Sequence, residues 1–211
     1  MFRKPLCVLL GALLLSACNL LIKPTPSREV DPGTPEGAAL AYIAGQAPDA
    51  DAATISFSDI HTWSLGRDSL VAYSYAGGYA AQWSRCNGQA RLTLAAGGWQ
   101  VVEVGTHCWD DESAAITGLY AFVTDDKGDI QTVIYGDLLV PDVTAVSIEF
   151  AVGGESAVAE LDSAGYWLMR TGAHPPTRAV AIDAAGYLVQ MLDFGAPLTI
   201  EPLESSSPSG P

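Results

Sequence analysis

Basic residues are scarce in this chain: 10 Lys and Arg stand against 24 Asp and Glu in 211 residues, a formal net charge of −14. So acidic a surface repels phosphate backbones and anionic headgroups, which speaks against nucleic acid as a partner. Histidine is scarcer still, with only His61, His107 and His174. No two of them stand at a metal-ligand spacing and HExxH is absent, so no metal is assigned. The chain also lacks a G-x-S-x-G elbow and a P-loop. Its glycine pairs, in "AGGY", "AGGW" and "VGGE", lie among β-turn residues instead of between a strand and a helix. No catalytic residue and no cofactor follow from these patterns. No uninterrupted apolar run reaches the ~20 residues that a helix needs to cross a bilayer core.

The first residues have the layout of a secretory signal. Arg3 and Lys4 supply the positive start, Leu6 to Leu15 the apolar stretch, and Ser16-Ala17 the small pair before Cys18. The run Leu6–Ala17 is 12 residues long. Leu15-Ser16-Ala17-Cys18 resembles the lipobox of bacterial lipoproteins. That resemblance implies diacylglycerol on the Cys18 thiol, cleavage in front of it, and acylation (palmitate or a similar chain) of the new amino group. With Asn19 at the second mature position, it also implies outer-membrane sorting where the cell has an outer membrane. The alternative is an uncleaved signal anchor, prolonged by Leu20, Leu21 and Ile22. Loss of residues 1–17 leaves 8 basic residues against 24 acidic ones, a formal charge of −16. With no polybasic patch, acyl chains must do the anchoring, at ~0.8 kcal/mol per buried CH₂. The expectation is an extracytoplasmic protein whose membrane partner is reached through the lipid on Cys18, at the cell membrane or outer membrane.

Cysteine usage agrees with export. Cys7 leaves with the signal and Cys18 carries lipid, so Cys86 and Cys108 remain as an even pair. In an oxidising compartment the expectation is one disulfide.

Five stretches divide the chain: a signal at 1–17, a tether at 18–33, an N-terminal β-rich domain at 34–115, a C-terminal sandwich at 116–203 and a disordered tail at 204–211. The tether is rich in Pro and charge and has no apolar period. Thr34-Pro35-Glu36 reads as a helix start, with a short helix to about Gly45 that points Ala38, Tyr42 and Leu40 at the core. From residue 54 the pattern turns to β. "IHTWSLG" with "SLVAYSY", "RLTLA" with "WQVVEV", and "LYAFVT" with "IQTVIYG" read as hairpins. "VTAVSIEF", "SAVAEL", "YWLMR", "TRAVAI" and "YLVQML" follow at short spacing. The fold class is mainly β, with an N-terminal β-rich or α+β domain carrying one short helix.

Residues 129–194 resemble the small immunoglobulin-like modules of bacterial surface proteins. The likeness rests on Gly136 after a β run, Val143–Phe150 followed by Gly153-Gly154, and the strand starts Gly165-Tyr166 and Gly186-Tyr187. It implies a sandwich and no particular ligand.

Two constellations carry candidate chemistry. Asp162 and Asp183 each stand three residues before a Gly-Tyr pair, and Asp125, Asp126 and Asp129 cluster. Calcium loops need several interleaved oxygen ligands. One acid per turn fits hairpin tips better, with Asp bonding the turn backbone and Gly at positive φ. The second constellation is "YSYAGGYAAQWSRCNG", with Trp109 beyond Cys108. A cysteine-stapled loop bearing Tyr79, Trp83 and Trp109 would be a rigid contact surface for a protein or sugar. The competing reading packs these rings over the disulfide. The functional expectation is a membrane-anchored, non-catalytic binding or display module. The rival is a small envelope hydrolase with its site in the N-terminal domain, built on His61 or His107.

Overall fold

The computed structural model describes residues 31–46, 56–79, 82–109, 113–162 and 165–203. The expected signal segment, Cys18, most of the expected tether and the tail at 204–211 lie outside them.

Helix α1 (Pro35–Gln46) starts where its capping residues require. Thr34 Oγ1 accepts the Gly37 N–H at 3.2 Å, Pro35 fills the first helical position and Glu36 sits at the positive end of the dipole. The buried stripe is Gly37, Ala39 and Ile43, while the expected Ala38, Leu40 and Tyr42 are only partly covered. Ala39 and Ile43 lie one turn apart on the face that meets the sheet, which turns Ala38 and Tyr42 to the flanks.

The first sheet is an antiparallel meander of β1 (Ser56–Leu65), β2 (Asp68–Tyr79), β3 (Gln82–Ala95) and β4 (Gly98–Trp109). Gly66, at φ 76°, makes the tight β1–β2 turn. "YSYAGGYAAQWSRCNG" is strand over most of its length and not a stapled loop. Gly77 and Gly78 stay in the ladder, opposite Ser84 and Trp83.

Eight further strands form two facing sheets. One holds β5 (Leu119–Thr124), β6 (Ile130–Asp137), β10 (Gly165–Thr171) and β9 (Glu160–Leu161), in that spatial order. The other holds β12 (Leu188–Asp193), β11 (Pro176–Ile182), β7 (Ala145–Phe150) and β8 (Ser156–Val158). In immunoglobulin lettering these are A-B-E-D and G-F-C-C′, so the C-terminal part is an immunoglobulin-like sandwich. Its core joins Tyr120, Ile134, Val146, Ile148, Phe150, Tyr166 and Ala179. Gly153 and Gly154, at φ 77° and 63°, turn β7 into β8. "SAVAEL" is not one strand. Ala159 is buried, its N–H donates to Val146 O at 2.9 Å, and the chain changes sheets there.

The sheets stack. α1 covers one face of the first sheet through Val71, Tyr73, Ala90 and Leu92. The other face, through Trp63, Leu65, Leu70 and Ala72, packs on Val123, Val133 and Tyr135 of the β5–β6 sheet. That central sheet is therefore covered on both sides, and seven of the eight β6 residues are buried. Covered strands read as nearly continuous apolar runs, as "TVIY" does. A last strand, β13 (Glu201–Pro202), leaves the sandwich and pairs with Val104 and Glu103 of β4. The C-terminal segment thus closes back on the N-terminal sheet.

Candidate functional site

Cys86 and Cys108 are directly opposite on β3 and β4 and are joined, with Cα atoms 4.0 Å apart at a sequence separation of 22. Strand alternation sets what lies beside the bridge. Cys108 shares the helix-covered side with Thr106 and Val104, whereas Trp109 and His107 face the opposite way, toward the β5–β6 sheet. Trp109 therefore does not pack over the disulfide.

Its orientation comes from a buried polar network instead. The Trp109 indole N–H donates to Asn87 Oδ1 at 2.9 Å, and Thr117 Oγ1 donates to the same oxygen at 2.8 Å. Asn87 Nδ2 donates to Ser74 Oγ at 2.6 Å, and Ser74 meets the Tyr135 hydroxyl at 2.9 Å. Ser74, Asn87 and Thr117 are buried, so each of these bonds replaces lost hydration. The indole N–H is satisfied and one side of the ring is left for contact.

That side opens onto a groove of about 430 Å³ lined by His107, Trp109, Tyr120, Phe194, Pro197 and Leu198, among others. His107 meets Trp109 edge-on at 4.6 Å, and Tyr120 meets Phe194 edge-on at 5.9 Å. The outer wall is the strap between β12 and β13. It is held at Phe194, whose N–H donates to Thr177 O at 3.0 Å, and at Leu198, whose N–H donates to Tyr120 O at 2.6 Å. At Gly105 it crosses β4 so closely that a Cβ there would lie 2.5 Å from Thr199 O. The one formally charged side chain among the described lining residues is Asp193, 76% exposed and bridged to Arg178 at 2.7 Å.

Of the expected contact residues, Trp109 lies on this groove. Tyr79 and Trp83 stand at the end of the β2–β3 hairpin, opposite Gln82 and Gly78, and their side chains lie outside the described residues. Tyr75 packs between strand and helix, 5.8 Å from Phe57. Tyr120, Phe194 and Leu198 carried no sequence signal for a site.

The histidines are on separate elements. His61 on β1 stacks on Trp167 at 4.0 Å and meets Trp63 edge-on at 4.4 Å. Burial lowers its pKa below 6.5, and the charges of Glu160 and Asp162 partly offset this. His174, between β10 and β11, is fixed by its N–H on Thr132 Oγ1 at 2.9 Å. His107 borders the groove.

The aspartate turns are built from backbone bonds. Asp183 Oδ1 accepts the N–H groups of Ala185 and Tyr187 at 2.9 and 2.8 Å, with Gly186 at φ 82°. Asp125 Oδ1 accepts those of Lys127 and Asp129 at 3.0 and 2.9 Å, with Gly128 at φ 85°. Asp162 Oδ1 accepts the Gly165 N–H at 2.9 Å. In each turn a carboxylate oxygen is occupied by the turn it stabilises.

Comparisons with protein-family models, with curated proteins and with solved structures return no match to this chain.

Proposed function

We propose that this chain is an envelope lipoprotein, anchored through Cys18, that works by contact at the groove beside β4. The observation that supports this reading most is the aromatic groove itself, about 430 Å³ and walled by Trp109, Tyr120 and Phe194. Rigid aromatic side chains lose little conformational freedom on binding, so such a wall favours recognition. The anchor rests on the sequence at residues 15–18, and the tether of residues 18–33 would hold the groove clear of the bilayer.

One experiment with two arms tests both halves. The first follows incorporation of a labelled fatty acid: the parent chain should take it up and Cys18→Ala should not. A parent that takes up none removes the anchor from the proposal. In the second, the full chain is applied to arrays of envelope glycans and random peptides beside Trp109→Ala. Retention should fall roughly tenfold or more in the variant, the effect of losing a hot-spot aromatic. Retained ligands that ignore the substitution would place the contact surface elsewhere. Turnover of an envelope substrate that is lost in His61→Ala or His107→Ala would favour the hydrolase instead.

A further inference from the structure

We infer that the outer edge of β4 at Thr106 and Cys108 receives an extended basic polypeptide as an added strand, with its alternate apolar side chains laid into the groove. This deepens the contact reading above and rests on it.

Directly opposed antiparallel residues have Cα atoms about 5.5 Å apart when they exchange hydrogen bonds and about 4.5 Å apart when they do not. Cys86 and Cys108, at 4.0 Å, belong to the second kind. The N–H and C=O of Cys108 therefore point away from β3, off the edge of the sheet. By the period of two, those of Thr106 do the same. The β13 end of the same edge agrees, because Leu203 N–H donates to Val102 O at 2.8 Å and Glu201 is paired with Val104. Even-numbered residues thus present their backbone outward along this edge.

β13 occupies that edge only as far as Val104. By Thr199 the strap has moved over the face of Gly105 and out of line with the strand. Thr106, His107 and Cys108 are exposed, and among the described residues no strand pairs with them on this side. An open edge with donor and acceptor pairs is a template for strand addition.

Only a polypeptide offers backbone donors and acceptors that repeat at the spacing of about 6.8 Å between Thr106 and Cys108. His107 and Trp109 face the groove, so every second side chain of an incoming strand would enter it, against Tyr120 and Phe194. The charge favours a basic sequence: the chain carries −14, a net field that attracts cations, while Asp193 on the groove wall is already paired with Arg178. Two copies meeting edge to edge would bring like charges together.

The test is a random heptapeptide library panned on the full chain, with Trp109→Ala and Phe194→Ala in parallel and their folding checked by circular dichroism. Enriched peptides should alternate Lys or Arg with Val, Ile or Phe. Binding should slow amide exchange at Thr106 and Cys108 and weaken with salt. N-methylation of the peptide amides that face β4 should weaken binding about tenfold, as expected for losing two backbone hydrogen bonds. If nothing enriches on the parent over the two variants, the inference fails. If an enriched peptide binds equally well when N-methylated, strand addition is wrong while the groove reading stands. If peptides bind both variants as tightly as the parent, the groove reading fails as well. Protection of Thr106 and Cys108 that grows with protein concentration, without peptide, would assign the edge to a second copy.

Discussion

The hydroxyls of Ser74 and Tyr135, both fully buried, lie 2.9 Å apart, one from each of two sheets that meet face to face. Ser74 is also bonded to Asn87, so the pair is one link of a longer network. Tyr135→Phe removes the bond to Ser74 and leaves the Ser74 hydroxyl bonded to Asn87; the expected loss is about 1 kcal/mol. Asn87→Ala removes the acceptor of the Trp109 indole N–H and the Thr117 hydroxyl together and leaves Ser74 bonded only to Tyr135, and about 2–4 kcal/mol is expected. Urea unfolding measures both. Equal costs would mean that the network does not act as a unit.

Gly105 lets the strap cross β4. In Gly105→Ala the new methyl would meet Thr199 O at 2.5 Å and the Leu198 side chain at 3.1 Å. Both belong to the strap, which must lift. The expected cost is about 1–3 kcal/mol, with faster amide exchange at Leu198 and Leu203. Unchanged exchange at these two amides would show that the strap is not seated against Gly105.

Replacing Cys86 and Cys108 by serine should cost about 2–4 kcal/mol, the usual range for a native bridge. The groove should survive in the folded variant, because Trp109 is oriented by Asn87 on the opposite face of the sheet. Trp109-dependent ligand retention is the readout. Its loss from a folded variant would show that the bridge positions the indole after all.

His61 predicts how stability depends on pH. Burial against Trp63 and Trp167 sets its folded pKa below 6.5, so the unfolded chain binds the proton more readily. Stability from this group is complete above the ordinary value of 6.5. It declines as the pH falls from there toward the folded pKa, below which it levels off. Melting temperatures between about pH 5 and 8 should show this slope, and His61→Phe, which keeps an aromatic ring in the stack, should flatten it. An identical slope in the variant would assign it to other groups.

The hairpins were legible because turn chemistry and alternation act within a few residues. Gly66, Gly128 and Gly186 stand at the tips that the pattern marks, and Thr34-Pro35-Glu36 marks the helix start. "YSYAGGYAAQW" misled because glycine favours turns and both glycine and alanine are depleted in strands, whereas here Gly77 and Gly78 are held by the β2–β3 ladder. "SAVAEL" misled because the switch of sheets at Ala159 answers to burial against Val146 and to no breaker residue. Trp109 was found through its place beside Cys108. Tyr120, Phe194 and Leu198 were not, because nothing local says that residues near 120 and near 195 come to lie against β4.

By itself the sequence determined the β architecture, the helix cap, the turn tips and the choice of Cys86 and Cys108 as partners. Those follow from backbone preferences, side-chain period and an even count of cysteines, all of which can be read along the chain. Only the tertiary structure decided that the sheets stack on a doubly covered β6, that Trp109 turns from the disulfide toward Asn87, and that the final strand returns to β4. Each of these depends on which faces exclude water together. That is settled by pairs of surfaces many residues apart, and no local stretch contains the information.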